Sequence, residues 1–299
     1  MIAMKKSAAT LTVLLALGAA SAFAQAQSGP VPDAEKEAVL KTALDYSDGA
    51  YSGDAARMER ALHPDLNKLI FRRRSPAMGL MATYSTWSDL VEVTRTAAFN
   101  LEPEKRLTDV TVLEITDDVA CLRVKTAFWC DYLQLIKVNG QWKIVNVLWT
   151  LGLTAPPAAK VVPGFDAEKE RPAAQQAVLD FILSRFAGDA ARLEKVLHPE
   201  TSQLIFSVAA KTNGGFVSRS RYSGILEPVK AKLGAGVEDI SKVEARVIDL
   251  MDGMAFAAAK FAAGTAYLQL QLMDGQWKVI NVLSRPTNNV FPPAPPAKK

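Results

Sequence analysis

The sequence predicts an α+β fold that is built from two copies of one small domain. The motif Gly-Asp-Ala-Ala-Arg at residues 53–57 recurs at 188–192, and Gly-Gln-Trp-Lys at 140–143 recurs at 275–278, at the same offset. In each copy the first half has helical periodicity and the second half has runs that are typical of strands. Self-similarity over so long an offset indicates duplication of a whole domain, which distinguishes it from the short units of a solenoid.

The helices come first in each copy. Apolar residues at helical spacing, such as Ala43 in the first copy and Val178 in the second, predict an opening helix. Gly53 and Gly188 are predicted to end these helices, because glycine readily adopts the left-handed conformation of a helix C-terminus. A short capped helix follows each glycine, and a second amphipathic helix follows Tyr84 and its counterpart.

The strands follow in three successive runs, which in the first copy are residues 119–126, 131–138 and 142–149. An earlier run at 107–115 adds a fourth strand, and Asn139-Gly140 is a hairpin turn signal between the last two. The final strand is apolar on both faces, whereas a sheet with helices on one side and water on the other should alternate. The second face therefore needs a packing partner, and the nearest candidate is the other copy, which would form an intramolecular pseudo-dimer.

The N-terminus has the pattern of a secretory signal peptide. Lys5 and Lys6 precede an apolar stretch at 8–20, and Ala22-Phe23-Ala24 fits the small-residue rule for cleavage after Ala24. We therefore expect a periplasmic or secreted protein. The predicted segments are a signal peptide (1–24), a first repeat (25–152), a proline-rich linker (153–166), a second repeat (167–285) and a proline-rich disordered tail (286–299).

Composition excludes several function classes. The formal net charge is +4 over 299 residues, which gives no reason to expect nucleic-acid binding. No segment of the predicted mature protein approaches the length of a membrane span. His63 and His198 are the only histidines, and neither has ligand-spaced cysteines or carboxylates nearby, so neither a metal site nor a cofactor is predicted.

The order of the motifs resembles the "putative lumazine-binding" branch of the nuclear transport factor 2-like superfamily, to which the SnoaL-like proteins are similar. The resemblance rests on residues 131–135 and 140–146 of the first copy, and on 267–270 and 275–281 of the second. It implies a cystatin-like, cone-shaped domain with a strongly bent antiparallel sheet wrapped around N-terminal helices. Such domains commonly pair through their sheets and have a pocket at the wide end. The superfamily includes isomerases and dehydratases as well as binding domains, so the fold does not determine the activity.

Three residues of the first copy are candidates for general acid-base catalysis. A neutral His63 could act as a base near neutral pH, and Asp131 beside the bulky Trp129 could have a raised pKa. Tyr132 follows Asp131 directly. The structural alternatives are that His63 hydrogen-bonds to backbone at a helix end, that Asp131 lies at a hairpin entrance, and that Tyr132 packs in the core. Helical phase also predicts that Asp45 faces solvent.

The candidate ligand-binding residues are mainly aromatic, and most recur at equivalent positions of the two copies. They are Tyr46, His63, Tyr84, Trp129, Tyr132, Phe181, His198, Tyr222 and Tyr267. The leading hypothesis is an exported, non-catalytic module that binds a small apolar or aromatic ligand or a protein. The alternatives are a lyase or isomerase with its site in the first copy, and a purely structural pair. If only one copy binds, we expect it to be the first.

Overall fold

A computed structural model describes residues 31–73, 78–156, 162–209, 212, 214–236, 239–288 and 290–291. The predicted signal peptide and most of the predicted tail lie outside the described residues. Among the residues that are described, no helix is long and apolar enough to cross a membrane.

Each repeat begins with a long helix, a short helix and, after two strands, a third helix. The helices are α1 (Asp33–Ser52), α2 (Ala55–Ala61) and α3 (Trp87–Arg95), then α4 (Ala167–Ala187), α5 (Ala190–Val196) and α6 (Tyr222–Lys230). Gly53 and Gly188 end α1 and α4 with φ angles of 70° and 66°, as predicted. Asp54 caps α2 by accepting a hydrogen bond from the Arg57 backbone N–H, and Asp189 caps α5 in the same way. Single 3-10 turns occur at Pro103–Lys105 and Ile240–Lys242.

The strands form one sheet per repeat. The first comprises β1 (Leu62–Arg72), β2 (Met81–Ser85), β3 (Thr108–Ile115), β4 (Val119–Thr126), β5 (Trp129–Val138) and β6 (Gln141–Leu151), in the order β2-β1-β6-β5-β4-β3. The second comprises β7 (Leu197–Ala209), β8 (Gly215–Arg221), β9 (Glu244–Met251), β10 (Met254–Phe261), β11 (Gly264–Met273), β12 (Gln276–Pro286) and β13 (Val290–Phe291). Its order is β13-β7-β12-β11-β10-β9, and β8 also pairs with β7.

The α+β class and the repeated sheets are confirmed, with one difference in strand direction. β1 runs parallel to β6, and β7 runs parallel to β12, so each sheet is mixed where a wholly antiparallel sheet was expected. The sequence concealed β1 because Pro64 lies near its start, and proline cannot donate to a strand ladder. The β1–β6 register shifts in that region, between Leu62 and Asn67. In addition, β13 places an ordered strand within the predicted tail.

Register shifts at equivalent positions bend both sheets. The β5–β6 pairing shifts between Gln134 and Leu135, and the β11–β12 pairing shifts between Gln269 and Leu270. Such bulges increase the local twist and curve a strand. Each bent sheet wraps around the helices of its own repeat and encloses an apolar core with them.

The opposite faces of the two sheets bury each other in a third apolar core, and the described residues of the two repeats belong to one compact unit. Leu69 and Phe71 of the first repeat and Phe206 and Phe256 of the second belong to this core. Buried amides link the sheets reciprocally. The Gln134 side chain donates to the Tyr267 carbonyl at 2.9 Å, and the equivalent Gln269 side chain donates to the Tyr132 carbonyl at 2.7 Å.

Candidate functional site

A cavity of about 210 Å³ lies inside the second repeat, between the last turns of α4, strand β7 and the ends of β11 and β12. Its wall is largely apolar and includes Ile182, Phe186, Ile205 and Phe261. Five polar or charged side chains also line it: Arg185, Gln203, Thr265, Ser284 and Arg285. Apolar walls with a few convergent polar groups are the usual composition of a small-molecule site.

The cavity is open because the second repeat has small residues where the first has large ones. In the strand pairing Ala266 lies opposite Ser284, just as Asp131 lies opposite Trp149 in the first repeat. Gly264, Ala266 and Ser284 of the second repeat correspond to Trp129, Asp131 and Trp149 of the first. The first repeat therefore fills with protein side chains the volume that the second leaves open.

Arg185 is the distinctive charged group of this cavity. It lies near the C-terminus of α4, where the helix dipole favours a cation, and its side chain is half-buried. Its Nη1 donates to Gln203 Oε1 at 3.2 Å, and its guanidinium lies 5.3 Å from the centre of the Phe181 ring. Burial lowers the pKa of Arg185. Within the described ranges it forms no ion pair.

A short hydrogen-bonded chain holds this arginine. Gln203, which is 5% exposed, donates from Nε2 to Ser284 Oγ at 3.0 Å while its carbonyl oxygen accepts from Arg185. Both polar ends of the glutamine side chain are therefore engaged. This series of hydrogen bonds fixes one edge of the guanidinium. The other N–H donors of this five-donor group take no part in it.

The second arginine of the wall, Arg285, is neutralised. Its Nε donates to the carboxylate of Asp118 in the first repeat. Burial lowers the pKa of Arg285, but the hydrogen bond and charge of Asp118 outweigh burial and raise it overall. Of the two cations, Arg185 alone faces the cavity without a carboxylate in the described part of the chain.

At the equivalent place the first repeat has a buried ion pair. Lys68 Nζ lies 2.9 Å from Asp131 Oδ1, donates to the Tyr46 hydroxyl at 2.6 Å and lies 4.6 Å from the centre of the Trp149 ring. Lys68 is 4% exposed and Asp131 is fully buried. Burial raises the pKa of Asp131 and lowers that of Lys68, and their mutual attraction opposes both shifts. Lys68 occupies the sequence position of Gln203, and Ala50 that of Arg185.

The catalytic candidates of the first repeat are not brought together. Asp131 and Tyr132 are successive residues of β5, so their side chains point to opposite faces of the sheet. Asp131 contacts Lys68 inside the first repeat, whereas the Tyr132 hydroxyl donates to Asp249 of the second repeat at 2.9 Å, between the sheets. His63 hydrogen-bonds to neither of them in the described structure.

Each histidine forms a hydrogen bond with the backbone, which is the contact that the structural alternative proposed. His63 Nδ1 accepts from the Asp65 backbone N–H, and His198 Nδ1 accepts from the Glu200 backbone N–H, each at 3.1 Å. Burial lowers the pKa of both imidazoles, so both are neutral near pH 7. They stabilise the turn that follows the short helix of each repeat.

The aromatic candidates divide among several environments. Phe181 lies beneath Arg185 next to the cavity, while Tyr222 packs against the same apolar core. Tyr46 contacts Lys68, and its ring centre lies 6.2 Å from that of Trp129 in the core of the first repeat. Tyr267 lies in the core between the sheets, and Tyr84 is exposed and donates to Glu200.

The sequence interpretation missed Lys68, Arg185, Gln203 and Ser284. Arg185 had a detectable signal, because it follows Phe181 by four residues and Ile182 by three, and therefore continues the apolar face of α4. A cation on an apolar helix face is unusual enough to mark a site. Lys68 had a similar signal immediately before the apolar run 69–71.

The prediction that Asp45 faces solvent is wrong. Asp45 is 6% exposed and forms ion pairs with Arg57, Arg60 and Lys41. Burial raises its pKa, but the hydrogen bonds from these three cations lower it to about 2 overall. Helical phase alone could not show this, because the covering arginines come from α2, which folds back over α1.

A second depression, a surface groove of about 440 Å³, lies in the second repeat near Asp180, Lys195 and Trp277. Asp180 is engaged by Arg192 at 2.7 Å, and the Trp277 indole donates to Glu170 at 3.2 Å. In the described residues no group of three or more histidine, cysteine or acidic side chains could hold a metal ion.

Comparison with known protein families gives a match for the first repeat. Residues 34–150 match the family model described as "Putative lumazine-binding". The match covers the first repeat and less than half of the whole chain, and it shows what the first repeat is similar to. The match ends with β6, so the second repeat, which contains the cavity, lies outside it. No curated protein matches the chain in sequence.

Solved structures similar to the chain each cover one repeat's worth of it. A nuclear transport factor 2-like protein of unknown function from Silicibacter pomeroyi is 15% identical, covers 40% of this chain and 97% of its own, and has a TM-score of 0.33. A nuclear transport factor 2-like protein of unknown function from Shewanella baltica is 20% identical, covers 40% of this chain and 96% of its own, and has a TM-score of 0.34. A putative scytalone dehydratase from Novosphingobium aromaticivorans is 11% identical, covers 40% of this chain and 85% of its own, and has a TM-score of 0.31. At these TM-scores the likenesses add no argument about activity.

Proposed function

We propose that this protein is a non-catalytic module that binds a small, largely apolar molecule, and that the cavity of the second repeat is its binding site. The observation that carries the proposal is the open volume at the place where the first repeat is filled by Trp129, Trp149 and the Lys68–Asp131 pair. The match of the first repeat to a family model described by ligand binding supports the general class. The position of the site in the second repeat departs from our expectation that the first repeat would bind.

The size of the cavity limits the ligand. At about 210 Å³ it exceeds the engineered cavity of about 150 Å³ that holds benzene, and it is smaller than the roughly 300–1,000 Å³ of sites for drug-sized molecules. One aromatic ring with a short substituent, or a compact bicyclic compound, matches this volume. The pteridine ring system of lumazine is in the same size range, which makes it a suitable probe.

Catalysis receives no comparable support. The lyase or isomerase hypothesis needs His63, Asp131 and Tyr132 to converge on one substrate, and β5 directs Asp131 and Tyr132 to opposite faces. The buried Lys68 forms an ion pair with Oδ1 of Asp131. We therefore retain the binding function.

Export is also part of the proposal, and it rests on the sequence of residues 1–24. Mass spectrometry of the protein recovered from its native cell should find a mature N-terminus at Gln25, outside the cytoplasm. A cytoplasmic protein that retains Met1 would contradict export and would leave the cavity proposal intact.

The site can be tested by filling it as the first repeat does. Ser284→Trp introduces the residue found at the equivalent position, Trp149, and should abolish binding of small aromatic probes such as 4-ethylbenzyl alcohol, 4-ethylbenzoate and lumazine. Ser223→Trp is the matched control, because Ser223 lies exposed on α6 of the same repeat and does not line the cavity. Thermal shift is a sensitive readout, since a ligand at 100 times its Kd stabilises the folded state by about 2.7 kcal/mol.

The outcomes separate the hypotheses. Saturable binding that is lost in Ser284→Trp and kept in Ser223→Trp supports the proposal. Binding that persists unchanged in a folded Ser284→Trp protein would move the site elsewhere.

A further inference from the structure

We infer that the ligand of the second-repeat cavity carries an anionic oxygen group, of the carboxylate class, which pairs with Arg185. This inference deepens the proposed function and rests on it. It specifies the chemical class of the ligand, whereas the cavity alone indicates only size and apolar character.

The charge balance of the cavity wall favours an anionic ligand. Two arginines line the cavity, and no aspartate or glutamate does so among the described residues. Arg285 is matched by Asp118, so one positive charge is left over at Arg185. Withdrawing a cation from water without a partner is unfavourable, and buried charges in proteins are normally paired. An anionic ligand would supply the missing partner.

The geometry of the Arg185 guanidinium also suits a carboxylate. Arginine presents five N–H donors in a planar fork that matches a carboxylate in a bidentate arrangement. Only the hydrogen bond from Nη1 to Gln203 joins the Arg185 guanidinium to another polar group in the described structure. Because Gln203 is itself held by Ser284, the guanidinium is positioned before any ligand arrives. Such preorganisation reduces the entropy lost on binding.

The first repeat shows how a cation in this part of the fold can be paired. There the cation at the position of Gln203, Lys68, is matched by Asp131 at 2.9 Å, and the position of Arg185 is occupied by Ala50. The first repeat thus neutralises its interior with its own carboxylate. The second repeat has Ala266 in place of that carboxylate, and its cation is at the position of Ala50 instead of that of Lys68, so its cation has lost the internal partner.

The charge of the wall, the geometry of Arg185 and the comparison of the two repeats together indicate an amphipathic small acid. Its anionic end would contact Arg185, and its apolar body would lie against Ile182, Phe186, Ile205 and Phe261. An aromatic monocarboxylate with a short alkyl group has this form and fits a volume of about 210 Å³. 4-Ethylbenzoate and its neutral analogue 4-ethylbenzyl alcohol are therefore a matched pair of probes.

The test is isothermal titration calorimetry of both probes against the full chain and two variants. Arg185→Met removes the charge and keeps most of the side-chain length. Arg192→Met is the control, because it removes the same charge from a surface ion pair of the same repeat. We expect Arg185→Met to weaken 4-ethylbenzoate about 10- to 100-fold, as loss of a hydrogen bond between charged groups implies. Binding of the alcohol should change little, and Arg192→Met should bind both probes as the unmodified protein does.

Other results would overturn the inference and identify what failed. If the alcohol binds as tightly as the acid, and Arg185→Met changes neither, the cavity remains the site but its ligand is not selected by charge. If neither probe binds the unmodified protein at millimolar concentration, both the inference and the proposed site fail. Should Arg185→Met not fold, Arg185→Lys retains the charge without the planar fork, and it should still prefer the acid. Equal binding of the two probes by that variant would contradict the inference.

Discussion

The two repeats share a scaffold and differ inside it. In the first, Lys68 and Asp131 form a buried ion pair beside Trp149, Trp129 packs in the same core, and protein fills the interior. In the second, Gln203, Ala266, Gly264 and Ser284 stand at those positions, and a cavity remains beside Arg185. The helix-ending glycines, the capping aspartates and the sheet bulges are the same in both. A duplicated domain can therefore conserve the residues that determine its backbone and change which copy has room for a ligand.

The largest expected effect concerns the ion pair of the first repeat. Asp131→Ala leaves Lys68 buried without its carboxylate and should lower the free energy of unfolding by about 3–5 kcal/mol. The double variant Lys68→Gln with Asp131→Ala installs the residues of the second repeat and should recover much of that loss, because no unpaired charge remains. Urea denaturation followed by circular dichroism measures both. Equal losses in the single and double variants would show that lost volume matters here and charge does not.

The next effect compares Asp45 with its counterpart Asp180. Asp45 is paired with three cations and 6% exposed, so Asp45→Asn should cost about 1–2 kcal/mol near pH 7, more than Asp180→Asn. Because its folded pKa, about 2, lies below the unfolded value of about 3.9, this stability is present above pH 4 and is lost as the pH falls towards 2. Denaturation between pH 2 and pH 6 should show a shallower acid-induced loss in Asp45→Asn. Identical pH profiles for the variant and the parent would contradict the assignment.

The smallest expected effect is on the stability of the ligand-free second repeat. Arg185 has no carboxylate partner within the ranges that the structure covers, so Arg185→Met should leave Tm unchanged or raise it slightly. Lys68→Met in the first repeat should instead lower Tm, because it leaves Asp131 buried and unpaired. Differential scanning calorimetry without ligand compares the two directly. A large loss of stability in Arg185→Met would indicate that the arginine is structural.

The sequence was sufficient for the α+β class and for the caps, because glycine, aspartate and proline act through local backbone geometry. It did not reveal β1 and β7, whose parallel pairing with the last strand depends on contacts about 80 residues away in the chain. The site was harder still. Asp131 was recognised as unusual, but its partner Lys68 could be identified only once β1 was placed beside β6. Arg185 could have been suspected from the apolar face of α4, whereas the open volume beside it depends on small residues of two neighbouring strands, β11 and β12, whose pairing had to be known first.

The central claim is that the second repeat holds the ligand, and a crystal structure of the protein with 4-ethylbenzoate tests it most directly. The account predicts the acid inside the cavity, with its carboxylate in hydrogen-bond contact with the Arg185 guanidinium and its ring between Ile182 and Phe261. Density for the acid among Tyr46, Trp129 and Trp149 of the first repeat, with the second-repeat cavity unchanged, would contradict it.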